Sequence, residues 1–394
     1  MLIQKAPMGW NTWNTFGTDI SDELIISTAK VLKEQGYLEA GYEYVVIDDC
    51  WSLKERDAQG RLVADPAKFP RGMKAVGDDL HAMGFKFGMY SCAGILTCAG
   101  YPSSYDYEFI DAQTFADWGV DFLKYDFCNF PTNADGKNRY LTMSMALKAT
   151  GRDILFSACN WGTDAPWQWM NSLGAGMYRS TGDIQDNFKS FTEIFKSQVN
   201  NFCMSGPSCY NDIDMLTVGM YGKGNVGLGK PCTDAEYRTQ FALWCMMSAP
   251  LMLGADVRKM NDFCKDLVLN KNLLRIDQDP EARPPYIAYR GRVIATEYNE
   301  EIQASGWREY LDTGFTLFKH LSDNEFAIGY FNFAPEAADV PFIFADAGLP
   351  AISGLKLHLT DAITGEDLGS ARDYYNLKIP SHDCRVLLAR IEKA

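Results

Sequence analysis

Residues 111–129 read DAQTFADWGVDFLKYDFCN and contain the unit that decides the fold. Residues 112–118 predict an amphipathic helix, and residues 122–127 predict the short β-strand that follows it. The same alternation of helix and strand runs from residue 8 to about residue 288. Such units build parallel sheets, because a right-handed helical crossover brings each strand back in the same direction.

Working outward from this unit, we predict eight strands in the first part of the chain: residues 9–11, 44–48, 85–91, 122–127, 154–159, 177–181, 205–209 and 251–255. The first helix between them has Ser21 as its N-cap and ends near Gly36. Further helices are predicted at residues 73–83, 112–118, 140–149, 185–200, 234–247 and 262–269. This α/β pattern predicts a (β/α)8 TIM barrel, whose active site gathers at the carboxyl ends of the strands.

Beyond Pro284 and Pro285 the pattern changes to short segments in which apolar and polar residues alternate, with turn-forming residues between them. These segments are residues 293–298, 315–320, 325–332, 340–344, 355–359 and 385–391. Closely spaced segments of this kind predict a C-terminal antiparallel β-sandwich. We therefore divide the chain into a catalytic barrel, residues 1–288, and a sandwich domain, residues 289–394.

The composition excludes several classes of protein. The 394 residues include 37 Lys and Arg against 51 Asp and Glu, a formal net charge of −14. A binder of nucleic acid or anionic membrane needs a basic face, so small neutral or cationic substrates are favoured. The longest apolar stretch, residues 241–254, is interrupted by Ser248 and Pro250 and is shorter than the ~20 residues of a membrane span. The amino-terminal MLIQKAPMGWN has no apolar signal core, which predicts a cytoplasmic protein.

Neither the cysteines nor the histidines predict a metal centre. The 11 cysteines form no CxxC pair, which without an export signal indicates mostly reduced thiols. His81, His320, His358 and His382 are scattered, without the spacing of a tetrahedral zinc site. We therefore expect no zinc.

Charged residues accumulate where the predicted strands end. They are Asp48, Asp49, Lys124, Asp126, Arg179, Asp183, Asp212 and Asp214. Because the carboxyl ends of barrel strands meet at one mouth, we expect these side chains to lie together. Acids accept hydrogen bonds from sugar hydroxyls, and tryptophan faces cover the apolar side of a sugar ring. The set therefore predicts a sugar site.

Each of these residues has a plainer interpretation as well. A single Asp at a strand end is more often a helix N-cap or a loop acceptor than a catalyst. Asp126 is favoured because Lys124, two residues earlier, points to the same face of the strand. A nearby cation keeps a carboxylate ionised and suits a nucleophile, whereas the alternative is a salt bridge inside the barrel. The adjacent Asp48 and Asp49 could instead bind Mg²⁺ or Ca²⁺.

The tryptophans can likewise be interpreted either as packing residues or as sugar-binding residues. Trp10 is expected in the core, whereas Trp13, in the polar context Asn-Thr-Trp-Asn, is better placed to form the floor of a sugar site. The pair Trp167 and Trp169 fits loop packing and an outer sugar subsite equally.

Nine motifs occur in order along the predicted barrel: MGWNTWNTF (8–16), VIDDCW (46–51), GRLVADPAKFPRGM (60–73), CAGYPSS (98–104), DAQTFADWGVDFLKYDFCN (111–129), ACNWG (158–162), YRSTGDI (178–184), NDIDML (211–216) and IDQDP (276–280). Together they resemble glycoside hydrolase family 27, the family of α-galactosidases and α-N-acetylgalactosaminidases. The resemblance covers the whole predicted barrel, and the family has a β-sandwich where this chain has one.

The resemblance implies a retaining double displacement with Asp126 as the nucleophile and Asp183 as the general acid/base. Two acids with different pKa values suffice for this reaction, so neither a cofactor nor a metal is expected. The residues that it places around the sugar are Trp13, Asp48, Asp49, Tyr90, Cys98, Lys124, Asn160, Trp161, Arg179, Asp214 and Met215. Among these, Asp48 and Asp49 would bind the 4- and 6-hydroxyls. Lys124 would bind the 3- and 4-hydroxyls, and Arg179 would lie near the 2-hydroxyl.

The sequence departs from the family pattern at two places. Asn160 stands where many members have Glu, in the loop that reads the C2 substituent, and an amide can pair with a hydroxyl or an acetamido group. The residues after Trp161 resemble the galactosidase version of this loop and favour galactose. Cys50 matches a cysteine that forms a disulfide in the family, but the cysteine that usually pairs with it is absent. Cys98 and Cys128 match another family disulfide, and whether they are paired or reduced in this chain stays open.

These observations lead to one hypothesis and several alternatives. The hypothesis is a retaining exo-α-galactosidase that removes terminal α-linked galactose from oligosaccharides or glycoconjugates, such as melibiose or raffinose. The alternatives are an α-N-acetylgalactosaminidase, a β-L-arabinopyranosidase, which the retained Asp48 and Asp49 disfavour, and a carbohydrate-binding protein with a decayed barrel. Because family members are often dimers or tetramers, the resemblance also implies a homo-oligomer.

Overall fold

The computed structural model of the protein describes residues 3–290 and 313–393. The chain forms two compact units. The first contains Met1–Asp186, Pro207–Pro231 and Pro250–Asn261. The second contains Asn187–Gly206, Cys232–Ala249 and Asp262–Ala394.

The first unit contains the predicted barrel. Its strands are β1 (Met8–Asn11), β2 (Tyr44–Val46), β3 (Lys86–Cys92), β4 (Phe122–Asp126), β5 (Leu155–Cys159), β6 (Met177–Arg179), β7 (Tyr210–Asp212) and β8 (Leu251–Leu253). They form one 8-stranded sheet in the order β7-β6-β5-β4-β3-β2-β1-β8, and every pair is parallel. A parallel bridge between Leu216 and Leu253 joins the two ends of this sheet. The TIM-barrel prediction is confirmed.

In its described residues, the first unit contains six α-helices, two of which begin with a side-chain cap. They are α1 (Trp13–Phe16), α2 (Asp22–Glu34), α3 (Tyr37–Ala40), α4 (Gly72–Met83), α5 (Glu108–Asp117) and α6 (Gly136–Ala149). The predicted cap of α2 is present, since the side chain of Ser21 accepts a hydrogen bond from Leu24 N. Asp135 caps α6 in the same way, through Asn138 N. Each cap satisfies a backbone donor that the helix itself leaves unpaired.

The second unit contains the remaining helices, α7 (Phe188–Gln198), α8 (Asp234–Met247), α9 (Asp262–Val268) and α10 (Lys271–Asp277). A capping box starts α8, in which Thr233 and Glu236 each accept a hydrogen bond from the backbone N–H of the other. None of the described helices is long and apolar enough to cross a membrane.

The second unit also contains the sandwich. Its strands are β9 (Tyr286–Arg290), β10 (Gly314–His320), β11 (Glu325–Asn332), β12 (Ala338–Ile343), β13 (Leu355–Asp361), β14 (Asp367–Ala371), β15 (Tyr374–Ile379) and β16 (Cys384–Lys393). An antiparallel 6-stranded sheet in the order β14-β13-β16-β11-β10-β9 and a 2-stranded sheet of β12 and β15 supply the core side chains, among them Phe318, Leu387 and Phe342. The predicted antiparallel sandwich is confirmed.

Several predicted bounds differ from the observed ones. The seventh strand was predicted at residues 205–209 but lies at Tyr210–Asp212, because Ser208 has a φ of 84° and interrupts an extended conformation. Strands β9, β14 and β15 and helix α10 were not predicted. The predicted strand at residues 293–298 lies outside the described residues. The boundary between residues 288 and 289 falls within β9 and stays a prediction.

Candidate active site

A cavity of about 190 Å³ lies at the carboxyl ends of the barrel strands. Its lining includes these residues predicted from the sequence: Trp13, Asp48, Asp49, Tyr90, Cys98, Lys124, Asp126, Trp161, Arg179, Asp183, Asp214 and Met215. Pockets for drug-sized ligands span roughly 300–1,000 Å³, so this cavity suits a single small ring.

Asp126 is the last residue of β4 and is held from two sides. The hydroxyl of Tyr90 donates a hydrogen bond of 3.0 Å to Oδ2, and the backbone N–H of Phe127 donates one of 2.9 Å to Oδ1. Burial raises the pKa of Asp126, while the charge of Lys124 and the N–H of Phe127 act in the opposite direction. The structure therefore supplies donors for the ionised carboxylate at a site that excludes most water.

Lys124 lies two residues before Asp126 and faces the same cavity, as the strand period predicts. Its Nζ donates a hydrogen bond of 2.9 Å to Oδ2 of Asp48, which also accepts one of 2.7 Å from Nδ2 of Asn11. Burial alone would lower the pKa of the Lys124 ammonium, but Asp48 and Asp126 raise it above its ordinary value. The lysine is therefore a permanent cation between two carboxylates.

The carboxylate of Asp49 accepts hydrogen bonds from the backbone N–H groups of Ala99 and Cys50, at 3.0 and 2.7 Å. Burial raises the pKa of Asp49 despite these donors. The segment that supplies Ala99 is anchored by a disulfide between Cys98 and Cys128, whose Cα atoms are 5.0 Å apart. The pairing that the sequence left open is therefore present, and Cys98 Sγ lies 3.6 Å from Oδ2 of Asp126.

Arg179 ends β6 and links two carboxylates that come from different loops. Its Nη2 lies 2.8 Å from Oδ1 of Asp183 and 2.7 Å from Oδ2 of Asp214. Burial would lower the pKa of Arg179, but the surrounding carboxylates, Asp214 first among them, raise it. The Asp183 side chain is 72% exposed, whereas that of Asp214 is 5% exposed. Asp183 is thus the more accessible of the two acids to a leaving group entering from solvent.

Asp214 is fixed by its backbone as well as by the arginine. It accepts hydrogen bonds of 2.7 Å from the backbone N–H groups of Ile184 and Met215. Asp212, two residues earlier in β7, does not line the cavity but accepts a hydrogen bond of 2.9 Å from Asp214 N. Burial raises the pKa of Asp212 to about 6. Asp212 therefore supports the site from within the barrel.

The tryptophans lie in three kinds of surroundings. Trp10 is fully buried and donates from Nε1 to the carbonyl of Ala255 at 2.8 Å, so its predicted core position is confirmed. Trp13 and Trp161 line the cavity. Trp169 is 9% exposed and donates to the carbonyl of Asp164 at 2.8 Å, which corresponds to loop packing.

Residues 5–279 match the family model described as "Alpha galactosidase A", and residues 316–389 match the "Alpha galactosidase C-terminal beta sandwich domain". The chain belongs to this family, glycoside hydrolase family 27. A curated relative, the α-galactosidase mel1 of Schizosaccharomyces pombe, is 36% identical, with coverage of 97% of this chain and 88% of the relative.

Solved structures of family 27 agree with this assignment. The α-galactosidase I of Mortierella vinacea superimposes with a TM-score of 0.88 at 32% identity, covering 100% of this chain and 99% of the other. The α-galactosidase of Saccharomyces cerevisiae with raffinose has a TM-score of 0.86 at 27% identity, covering 99% of this chain and 98% of the other. Both similarities extend over the barrel and the sandwich.

One predicted site residue of this family 27 enzyme, Asn160, is not among the residues that line the cavity. Asn160 is 1% exposed, and its Nδ2 donates a hydrogen bond of 2.6 Å to the carbonyl of Thr163. Trp161 and Gly162, with φ values of 57° and 88°, turn the chain back at this point. The amide of Asn160 therefore closes its own loop, and its predicted role at the sugar stays a prediction.

Sequence reasoning also missed part of the cavity wall. The residues that it missed are Asn14, Ile184, Gln185, Asn225 and Val226. The last two lie in a glycine-rich loop that carries no hydrophobic periodicity, so only the turn-forming glycines signalled it.

The donor set does not fit the metal that the sequence offered as an alternative. Oδ2 of Asp48 accepts hydrogen bonds from Lys124 and Asn11, so an ammonium stands where a cation would neutralise this carboxylate. Both oxygens of Asp49 accept from backbone N–H groups. The adjacent acids are therefore satisfied by protein donors.

Proposed function

We propose that this protein is a retaining exo-α-galactosidase that hydrolyses terminal α-linked galactose from oligosaccharides or glycoconjugates. The observation that carries the proposal is that Asp126 and Asp183 line the same small cavity. Asp126 is buried between donors, whereas Asp183 is exposed at the entrance. A retaining glycosidase needs this division between an ionised nucleophile and an acid that meets the leaving group.

In the first step, an oxygen of Asp126 attacks C1 of the galactose while Asp183 donates its proton to the glycosidic oxygen. The bond between C1 and this oxygen breaks, the aglycone leaves, and a β-linked glycosyl ester forms on Asp126. The N–H of Phe127 holds Oδ1 of Asp126 and thereby orients the carboxylate. Lys124 and Arg179 balance the negative charge around it.

In the second step, Asp183, now ionised, removes a proton from water, and the oxygen of this water attacks C1 from the face that the aglycone has left. The ester bond breaks, Asp126 is released as a carboxylate, and α-galactose is the first product. Because Asp183 is the exposed member of the pair, solvent water has access to it once the aglycone departs.

The choice of sugar rests on other residues of the cavity lining. Asp48, Asp49 and Lys124 present charged acceptors and a donor to the hydroxyls of one ring. Burial of these groups makes an unmatched hydroxyl costly, which favours specificity. The small volume supports removal of one terminal unit at a time. The relatives in the comparison are α-galactosidases, and one was solved with raffinose, which supports α-galactosides as substrates.

The test is hydrolysis of an aryl α-galactoside by the wild type and by Asp126→Ala. The variant is expected to lose at least about 10³-fold in kcat, because no nucleophile remains. Added azide should restore turnover and yield the β-galactosyl azide, since it attacks from the side of the missing carboxylate. Asp153→Ala is the matched control, because this exposed acid lies just before the amino end of β5.

Two outcomes would reject the proposal. Unchanged activity in Asp126→Ala would remove the nucleophile assignment. A wild type that cleaves the aryl α-N-acetylgalactosaminide or the aryl β-L-arabinopyranoside with a higher kcat/KM than the α-galactoside would reassign the substrate. NMR of the first-formed anomer checks retention independently.

A further inference from the structure

The segment that carries Asp183 is anchored through its backbone. Ile184 N donates a hydrogen bond of 2.7 Å to Asp214, and Asp186 N donates one of 2.7 Å to the carbonyl of Val226. The side chain of Asp183 is largely exposed. The position of its carboxyl group therefore depends on the contact with Arg179 and on how residues 183–186 are held.

Asp186 makes a second contact with the same loop. Its residue is fully buried, and its Oδ2 accepts a hydrogen bond of 2.6 Å from the backbone N–H of Gly222. We call residues 217–231 the clamp loop. Asp186 thus donates to the clamp loop at Val226 and accepts from it at Gly222. One buried residue is thus joined to the clamp loop by two hydrogen bonds, one through its backbone and one through its side chain.

The clamp loop is also fastened to the segment that carries Trp13. Asn225 N donates a hydrogen bond of 2.8 Å to the carbonyl of Asn14, and Asn225 Nδ2 donates one of 3.0 Å to the carbonyl of Trp13. The loop approaches so closely that a Cβ on Gly224, whose φ is 85°, would collide with the carbonyl oxygen of Asn14. The backbone in this region requires glycine.

We propose that Asp186 and Asn225 are positioning residues that act through the clamp loop. They connect the acid/base segment to the Trp13 segment, so that Asp183 and the indole keep a fixed separation across the bound galactose. The inference rests on the proposed function. General acid catalysis requires the carboxyl group to be within hydrogen-bond reach of the leaving oxygen, and a misplacement of about 1 Å costs about 10²-fold in rate.

The two ends of the clamp loop predict different kinetic signatures. Asp186→Ala releases the acid/base segment, so kcat/KM is expected to fall about 10²-fold with melibiose, whose leaving group must be protonated. With 2,4-dinitrophenyl α-galactoside, whose leaving group departs without a proton, the expected fall is about threefold or less. Asp186→Asn keeps an oxygen that can accept from Gly222 N and should recover part of the loss with melibiose.

Asn225→Ala releases the Trp13 segment instead. Because the indole contacts the galactose ring that both substrates share, KM should rise about tenfold for both, while kcat changes little. The inhibition constant of free galactose should rise by the same factor. Lys223→Ala, at an exposed position of the same loop, is the matched control and should leave both substrates unaffected.

Two sets of results would overturn the proposal. Equal losses on both substrates in Asp186→Ala and Asp186→Asn, together with a lowered Tm, would show a purely structural role. Unchanged kinetics in all variants would show that the clamp loop positions nothing. A wrong reaction class gives a different result, since the wild type itself would then cleave neither substrate.

Discussion

Replacing Lys124 with methionine is expected to disturb two buried carboxylates at once. The Nζ of Lys124 lies 2.9 Å from Oδ2 of Asp48, and the two side chains are 15% and 2% exposed. The same cation opposes the rise in the pKa of Asp126 that burial causes. Methionine has a similar length and an apolar stem but carries no charge. The packing is therefore largely kept, while the positive charge that compensates Asp48 and Asp126 is lost.

The size of the effect follows from this burial. Breaking a buried pair by removing one partner costs about 3–5 kcal/mol, because the remaining charge is left uncompensated. Asn11 still donates to Asp48, so the lower end of this range is expected. An opposite charge nearby lowers the pKa of a carboxyl group by about 1–3 units, so its removal should raise the pKa of Asp126 by about one unit.

The assays are urea unfolding and the pH dependence of kcat/KM on an aryl α-galactoside. Asp126 must be ionised to attack, so the acidic limb of the profile should move to higher pH by about one unit. The loss of stability should shrink as the pH falls, because protonation of Asp126 removes a negative charge that Lys124 compensates in the wild type. The matched control is Lys86→Met, whose partner Glu43 is 42% exposed and whose loss should cost about 1 kcal/mol or less. A stability loss equal to that of the control, with an unmoved acidic limb, would refute the reasoning.

Three further outcomes are expected. Asp183→Ala should retain activity on activated aryl α-galactosides and lose activity on melibiose. With added azide it should form the α-galactosyl azide. NMR of the product checks this, and a β-galactosyl azide would contradict it. Burial raises the pKa of Asp126, so wild-type kcat/KM should fall, as the pH drops, at a higher pH than an ordinary aspartate gives; a limb at the ordinary value would argue against a buried nucleophile. Burial also raises the pKa of Asp277, although the buried cation of Lys319 opposes the rise. The folded state therefore keeps a proton on Asp277 at pH values where the unfolded chain has lost it. Asp277→Asn should gain stability relative to the wild type as the pH rises above about 4 in urea unfolding; a constant difference would exclude this.

The barrel was predictable because its strands and helices have distinct periods that are visible in one sequence. The seventh strand was misplaced because two of its three residues, Tyr210–Asp212, are polar, and the turn at Ser208 before it is not visible in the sequence pattern. Strand β15 was missed because every other side chain is exposed and only Ile379 is fully buried. Short strands at the edge of a small sheet are defined by their partners, which the sequence does not specify locally.

The acids of the cavity were predictable because the carboxyl ends of barrel strands lie together, independently of the conformation of the loops. The position of Asn160 was not, since it depends on a left-handed turn at Trp161 that a non-glycine residue rarely adopts. Asp186 and Asn225 lie in irregular segments, and their importance comes from contacts between distant loops. The homo-oligomer that the resemblance implies stays a prediction.

The pairing of β1 with β8 has a consequence for how the protein folds. These strands lie near opposite ends of the first unit in the sequence, yet they are neighbours in the sheet, and the residues of the cavity come from loops along its whole length. Contacts between distant parts of a chain form slowly, because the intervening segments must first be ordered. During refolding from urea, enzyme activity should therefore recover later than the helical circular dichroism signal. The rate at which activity returns would then report the rate at which β1 and β8 pair and close the barrel.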